Sequence, residues 1–117
     1  MPLDRFGLPR ADLAKSALGA EKTVPWEHHK NHSNILKNIR MTGFYIIALE
    51  QSKNSVDYKK VKVKQKTAII VGNEVRGLPQ SILKYADTIA EIPLKGKKES
   101  LNVSVATGIF LFRILDI

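Results

Sequence analysis

The chain has 117 residues, of which 44% are hydrophobic and 26% charged, a balance typical of a folded globular domain and not of a disordered segment. It contains no cysteine, which excludes disulfides and thiolate metal sites, and its apolar runs are far shorter than the roughly 18 residues that span a bilayer. A net charge of +8 favours a polyanionic partner such as nucleic acid, although solubility alone would also account for it. The length fits one domain over residues 1–117. Because the N-terminus lacks the apolar core of a signal peptide, we expect the protein to be cytoplasmic.

Apolar periodicity predicts that helices and strands alternate along the chain. The first predicted elements are a helix within residues 10–21 that ends near Gly19, a helix from Ser33 to Met41 closed by Gly43, and a strand from Phe44 to Leu49. A lysine-rich surface loop or edge strand over 55–66 and a strand from Thr67 to Val71 follow. The last three are a helix from Pro79 to Ala86, a strand from Thr88 to Pro93 and a helix from Asn102 to Leu115. The continuous apolarity of the segment from Phe44 to Leu49 is expected of a strand buried on both faces, and the segment from Thr67 to Val71 is a second apolar strand. The sequence therefore predicts an α/β domain with a mostly parallel sheet and flanking helices.

Two glycines bracket the loop that follows the strand ending at Val71, in the stretch Gly72-Asn73-Glu74-Val75-Arg76-Gly77. Open α/β sheets bind ligands at the carboxyl ends of their strands, and glycine lets a ligand approach the backbone closely. The Glu74 carboxylate beside the Arg76 guanidinium could orient a substrate or simply pair with its neighbour. Both interpretations stay open at this point.

The segment that leads into the last helix is first basic, at Lys95, Lys97 and Lys98, and then small and polar, at Ser100 and Asn102. One of the two polar side chains suffices to cap the helix, which is the purely structural interpretation. Two such side chains beside the free N–H groups of a helix also form a site for a polar or anionic ligand.

The two loops together carry a resemblance to a known family. Residues 69–77 (IIVGNEVRG) and residues 100–106 (SLNVSVA) resemble motifs 2 and 3 of SpoU-type, TrmH-like RNA 2'-O-ribose methyltransferases of the SPOUT superfamily. Weaker similarity extends the match over about residues 14–115. The resemblance implies a C-terminal trefoil knot, S-adenosylmethionine bound in the knotted loops, and a homodimer with its active site at the subunit interface.

The resemblance also implies roles for single residues. The cofactor would lie against Leu49, Gly72, Ile92 and Leu101, and Glu74, Ser100 and Asn102 would surround the substrate ribose and the departing methyl group. Arg76, Lys95, Lys97 and Lys98 would contact RNA, and the second lysine cluster, at positions 59, 60, 62, 64 and 66, would also hold phosphates. The implied reaction methylates a ribose 2'-hydroxyl of tRNA or rRNA and needs no metal.

Motif 1 of the family, an asparagine followed six residues later by an arginine, would precede the segment that begins at Lys15, and only fourteen residues come before it. We therefore expect this sequence to lack the family's first strand and helix. The alternative to an active enzyme is a catalytically impaired cofactor- and RNA-binding module, or a truncated fragment. Asn34 and Arg40 have the motif spacing, but an amphipathic helix explains their segment and predicts that Arg40 is solvated.

Two further classes of site are disfavoured by the sequence. His28, His29 and His32 lie close together, but a polar loop before a helix accounts for them better than a metal site does. A phosphate-binding loop of the Gly-x-x-x-x-Gly-Lys-Ser/Thr type does not occur in the sequence, which argues against an unrelated nucleotide-binding domain.

Overall fold

The computed structural model describes residues 20–73, 76–94 and 102–117. The chain divides into two compact units, Met1–Lys30 and Asn31–Ile117. The described part of the first unit contains helix α1, Ala20–Thr23. Because Gly19 lies outside the described residues, the expectation that a helix ends near it stays a prediction. The start of that predicted helix lies outside the described residues.

The second unit is an α/β sheet structure. Its elements are α2 (His32–Met41), β1 (Tyr45–Leu49), β2 (Val56–Asp57), a 3₁₀ turn (Tyr58–Lys60), β3 (Thr67–Val71), α3 (Gln80–Leu83), β4 (Thr88–Glu91) and α4 (Val103–Leu115). The strand order is β2-β4-β1-β3, and each of these pairings is parallel. The predicted mostly parallel sheet is therefore confirmed.

Strand β1 lies in the interior of the sheet, paired with β3 on one side and β4 on the other. Ile46, Ile47 and Ala48 are each 0% exposed, and because alternate side chains of a strand point to opposite faces, both faces of the sheet are covered there. This confirms the prediction of a strand buried on both faces. β3 is equally apolar but forms an edge, so its residues are only half-buried or, at Val71, exposed.

Helix α4 covers one face of the sheet through Phe110, which is fully buried against Ile47 and Ala90. Half-buried Leu49 and Ile69 pack around this cluster. Leu36, Ile82 and Leu83, from α2 and α3, are also buried. Among the described residues, no helix is long and apolar enough to cross a membrane.

The ends of helix α2 match the prediction closely. The side-chain oxygen of Asn31 accepts a hydrogen bond from the Asn34 N–H at 3.1 Å and caps the start of the helix. At the other end Gly43 has a φ of +90°, a left-handed conformation that glycine adopts without steric cost.

Two predicted elements are longer than the observed ones. Pro79 caps α3 and does not begin it, and the helix ends at Leu83, short of Ala86. The chain must leave the helix early because Asp87 is tied to β1: its N–H donates to the Ile46 carbonyl, and its carboxylate accepts the Ile46 N–H, both at 2.7 Å. Strand β4 ends at Glu91 and does not reach Pro93, which has no N–H to donate to a neighbouring strand.

Phe110→Ala should lower the free energy of unfolding by about 3–5 kcal/mol, because it opens a cavity beside Ile47 and Ala90. Phe110→Leu retains most of the apolar volume and should cost markedly less. Urea unfolding followed by circular dichroism measures both variants. An alanine variant as stable as the leucine variant would contradict this account of the core.

Candidate functional site

The carboxyl ends of β1, β3 and β4 meet at one side of the sheet, which we call the carboxyl edge. Leu49 pairs with Val71 of β3 and with Ala90 of β4, so the residues that follow these strands are neighbours. Leu49, Gly72 and Ile92, three of the four residues expected to contact the cofactor, all lie at this edge and are half-buried. The fourth, Leu101, lies outside the described residues.

The loop between β3 and α3 folds back on itself directly after the strand. The Gly77 N–H donates to the Asn73 carbonyl at 2.8 Å, and the Arg76 N–H donates to the Asn73 side-chain oxygen at 3.3 Å. These two bonds close the base of the segment that includes Glu74. Glu74 itself lies outside the described residues, and Arg76 is exposed.

Both glycines of this loop are required by the loop itself. A Cβ on Gly72 would lie 2.6 Å from the carbonyl carbon of Gly77, and a Cβ on Gly77, whose φ is +67°, would lie 2.5 Å from the Glu50 carboxylate. The methyl group at position 72 would force the backbone apart, whereas the one at position 77 would displace the Glu50 carboxylate and would strain a backbone conformation that disfavours side chains. The sequence suggests that these glycines allow close approach of a ligand, and the structure supplies a further reason that is internal to the protein.

Glu50 is a site residue that the sequence analysis did not single out. Its carboxylate accepts the Leu78 N–H at 2.6 Å, and its own N–H donates to the Ala90 carbonyl at 2.9 Å. A hydrogen bond to an ionised acceptor is roughly twice as strong as a neutral one. Glu50 thus links the ends of β1 and β4 to the loop after β3. The available signal was an acidic residue placed directly after a strand buried on both faces.

The start of α4 carries the described part of the second motif. The Asn102 side-chain oxygen accepts hydrogen bonds from the N–H groups of Ser104, at 2.8 Å, and Val105, at 3.4 Å. The capping role considered for Asn102 is therefore present. Ser100 and the three lysines at positions 95, 97 and 98 lie outside the described residues.

The remaining polar groups considered from sequence are found in ordinary contacts. His29 Nε2 lies 2.8 Å from a Glu27 carboxylate oxygen, and within the described ranges there is no group of three or more potential metal ligands. Arg40 was expected to be solvated. Its side chain is 52% exposed, and its guanidinium lies 3.6 Å from the Asp87 carboxylate.

Comparison with known proteins adds to this geometry. Residues 4–112 match the model of the SpoU rRNA Methylase family. The chain is 40% identical over 94 residues to a tRNA (guanosine(18)-2'-O)-methyltransferase of Aquifex aeolicus, covering 80% of this chain and 44% of that protein. It is 30% identical over 115 residues to the 23S rRNA (guanosine-2'-O-)-methyltransferase RlmB of Pseudomonas aeruginosa, covering 98% of this chain and 46% of that protein.

Solved structures give the same picture. The crystal structure of the A. aeolicus TrmH/SpoU tRNA modifying enzyme superposes with a TM-score of 0.82 at 37% identity, over 88% of this chain and 52% of that one. An AdoMet-bound rRNA methyltransferase from Sinorhizobium meliloti superposes with a TM-score of 0.85 at 28% identity, over 97% of this chain and 42% of that one. The chain thus spans about half the length of the curated relatives it matches.

Glu50→Ala should lower the free energy of unfolding by about 1–3 kcal/mol, because it leaves the half-buried Leu78 N–H without its acceptor. It should also accelerate hydrogen exchange at Leu78 relative to the strand amides. Glu50→Gln keeps an acceptor oxygen and serves as the control, with a smaller loss of stability and of Leu78 protection. Unchanged protection in the alanine variant would show that the carboxylate does not hold the loop.

Proposed function

This chain belongs to the SpoU rRNA methylase family, and from that premise we propose that it acts as an S-adenosylmethionine-dependent RNA methyltransferase. The reaction we propose forms an O–CH₃ bond at a ribose 2'-hydroxyl of tRNA or rRNA, breaks the S–CH₃ bond of the sulfonium and removes the hydroxyl proton. The observation that carries the proposal is the convergence of Leu49, Gly72 and Ile92 at the carboxyl edge.

The carboxyl edge has the chemistry that a nucleoside-type cofactor requires. Main-chain groups at three strand ends lie beside the half-buried apolar side chains of Leu49, Leu78 and Ile92, and a flat adenosyl group needs such a mixture of apolar walls and fixed polar groups. We assign the cofactor to these residues together with Leu101. When bound, S-adenosylmethionine supplies the activated methyl group.

The contribution of the protein would be positioning and electrostatics. We assign Glu74, Ser100 and Asn102 to the surroundings of the ribose and the departing methyl group, where they would align the hydroxyl oxygen with the methyl carbon. Arg76, Lys95, Lys97 and Lys98 would bind neighbouring phosphates of the RNA. No metal has a part in the proposal. The proposal also includes a C-terminal trefoil knot, which rests on the family resemblance. It further includes a single domain over residues 1–117 and a cytoplasmic location, which rest on the sequence.

We further propose that the chain works as a homodimer, and helix α4 supports this. While Phe110 is buried in the core, Val105, Ile109, Phe112 and Leu115 are between 38% and 62% exposed. The first three are separated by four and three residues, so they form one apolar stripe along the helix. Exposed apolar patches of this kind mark protein–protein interfaces.

Calorimetric titration with S-adenosylmethionine, and with S-adenosylhomocysteine beside it, tests the cofactor site. We expect binding by the wild-type chain and weakened binding by Gly77→Ala, which distorts the carboxyl edge. Gly43→Ala is the matched control: it also forces alanine into a positive φ, at a cost of about 1–2 kcal/mol, but lies at the opposite end of β1.

Absence of binding to folded wild-type protein would contradict the cofactor site. Binding without methyl transfer to tRNA or rRNA would favour the alternative, a catalytically impaired cofactor- and RNA-binding module.

Phe112→Lys should convert the protein to a monomer, because it places a charge in the middle of the apolar stripe. Met41→Lys removes another exposed apolar side chain, 84% exposed and outside α4, and should leave the dimer intact. Sedimentation equilibrium of the three proteins distinguishes these outcomes. A monomeric wild type, or dissociation by both variants alike, would count against the α4 interface.

A further inference from the structure

A concave surface lies at the opposite end of the strands from the carboxyl edge. It is an open depression of about 560 Å³ lined by Arg40, Phe44, Tyr45, Lys64, Lys66 and Asp87. Four of these residues begin or directly precede β1, β3 or β4, so the depression is formed by the amino ends of the three strands whose carboxyl ends form the proposed cofactor site. We call it the amino-edge site.

Two lysines of the amino-edge site are held in place by aromatic rings. The Lys66 ammonium donates to the Thr42 carbonyl at 3.0 Å and lies 5.4 Å from the centroid of the Phe44 ring. The Lys64 ammonium lies 5.7 Å from the centroid of the Tyr45 ring, and the Tyr45 hydroxyl is hydrogen-bonded to Thr88. Because these contacts already restrict both side chains, less conformational entropy is lost when the ammonium groups bind an anion.

The charge of the amino-edge site is positive after its internal pairs are counted. Among its described lining residues are three cations and one carboxylate, that of Asp87. This carboxylate is already engaged by the Ile46 N–H at 2.7 Å and by Arg40 at 3.6 Å. The two lysine ammonium groups therefore face the depression with their charge uncompensated by Asp87.

The structure separates these lysines from the rest of their cluster. Of the five clustered lysines, all of which the structure describes, Lys64 and Lys66 line the depression. The Lys59 ammonium instead lies 3.9 Å from the Asp57 carboxylate, so its charge is offset within its own turn. From the sequence alone, all five lysines are expected to contact RNA phosphates in the same way.

We propose that the amino-edge site binds backbone phosphate of the RNA substrate at a position remote from the reacting ribose. This inference rests on the proposed function. Strand β1 has five residues and separates the two edges by about 13 Å, so the phosphate bound here is not one that flanks the methylated nucleotide. The site is open and its lysines are exposed, which suits a chain that crosses the surface better than an enclosed small molecule.

A second contact of this kind sets the register of the RNA. Binding at the carboxyl edge alone leaves the RNA free to pivot about the bound nucleotide. A phosphate held by Lys64 and Lys66 fixes the direction in which the strand leaves that nucleotide, and phosphate contacts of this type position a nucleic acid without reading its sequence.

Fluorescence anisotropy with a labelled tRNA, measured at several salt concentrations, tests the proposal on the full 117-residue chain. Lys64→Ala/Lys66→Ala should weaken binding roughly tenfold at low salt and lower the slope of log affinity against log salt by about 0.7–0.9 for each lost phosphate contact. Lys37→Ala/Lys53→Ala is the matched control, because it removes the same number of charges from exposed lysines that do not line the depression. It should change affinity and slope little.

Further measurements separate the possible failures. Cofactor titration of the Lys64/Lys66 variant should be unchanged, which shows that the carboxyl edge is intact. If the wild type does not bind the cofactor, the proposed function is contradicted. If the two double variants weaken RNA binding equally, or if the wild type does not bind RNA, the amino-edge site is contradicted. The Lys64→Arg/Lys66→Arg variant should retain RNA binding. Displacement of tRNA by inorganic phosphate beyond the effect of chloride at equal ionic strength would identify a small-anion site instead, and would also overturn the proposal.

Discussion

The parallel pairing of β1 with β3 and β4 is the constraint on which the rest of the structure depends. Ile46, Ile47 and Ala48 have no exposed surface, so β1 can neither shift by one residue nor leave the sheet without exposing this apolar surface. Parallel pairing puts three strand ends at one edge and three strand starts at the other. The proposed cofactor site and the amino-edge site are the two ends of this one arrangement.

At the carboxyl edge, hydrogen bonds from the protein to itself build the platform that would carry the chemistry. Glu50 accepts the Leu78 N–H, and Asn73 closes the base of the loop with its carbonyl and its side chain. The loop packs so closely at Gly72 and Gly77 that neither position has space for a side chain. These bonds hold the backbone of Asn73, Arg76 and Gly77 in place, and a reaction that depends on aligning two atoms requires such fixed positions.

Helix α4 shows how one element serves several purposes through its different faces. Phe110 anchors it to the sheet, Asn102 of the second motif caps its first turn, and Phe112 belongs to an exposed apolar stripe. Its start, which carries the motif, is thereby held at a defined position relative to β1 and β4. If the stripe is the dimer interface that we propose, dimerisation and the geometry of the cofactor site are coupled through a single rigid helix.

Local sequence patterns determined the positions of several helices and strands and the family of this protein. Continuous apolarity predicted β1 and β3 to within one residue, the Asn31 cap and Gly43 suit the observed ends of α2, and the two motifs indicated the family. Each of these signals is carried by residues close together in the chain, where periodicity and capping chemistry act. The early end of α3 was not predictable in the same way, because it follows from Asp87 reaching Ile46, forty-one residues away.

The tertiary structure alone decided which distant groups meet. Glu50 binds Leu78 across twenty-eight residues, and its carboxylate occupies the space that a side chain at position 77 would need. Lys64 and Lys66 are similar to their neighbours in sequence, and only the order β2-β4-β1-β3 brings them to Phe44, Tyr45 and Asp87. The physical reason is the same in both cases. The apolar pattern of a strand indicates how deeply the strand is buried, but it does not indicate which other strand will lie beside it.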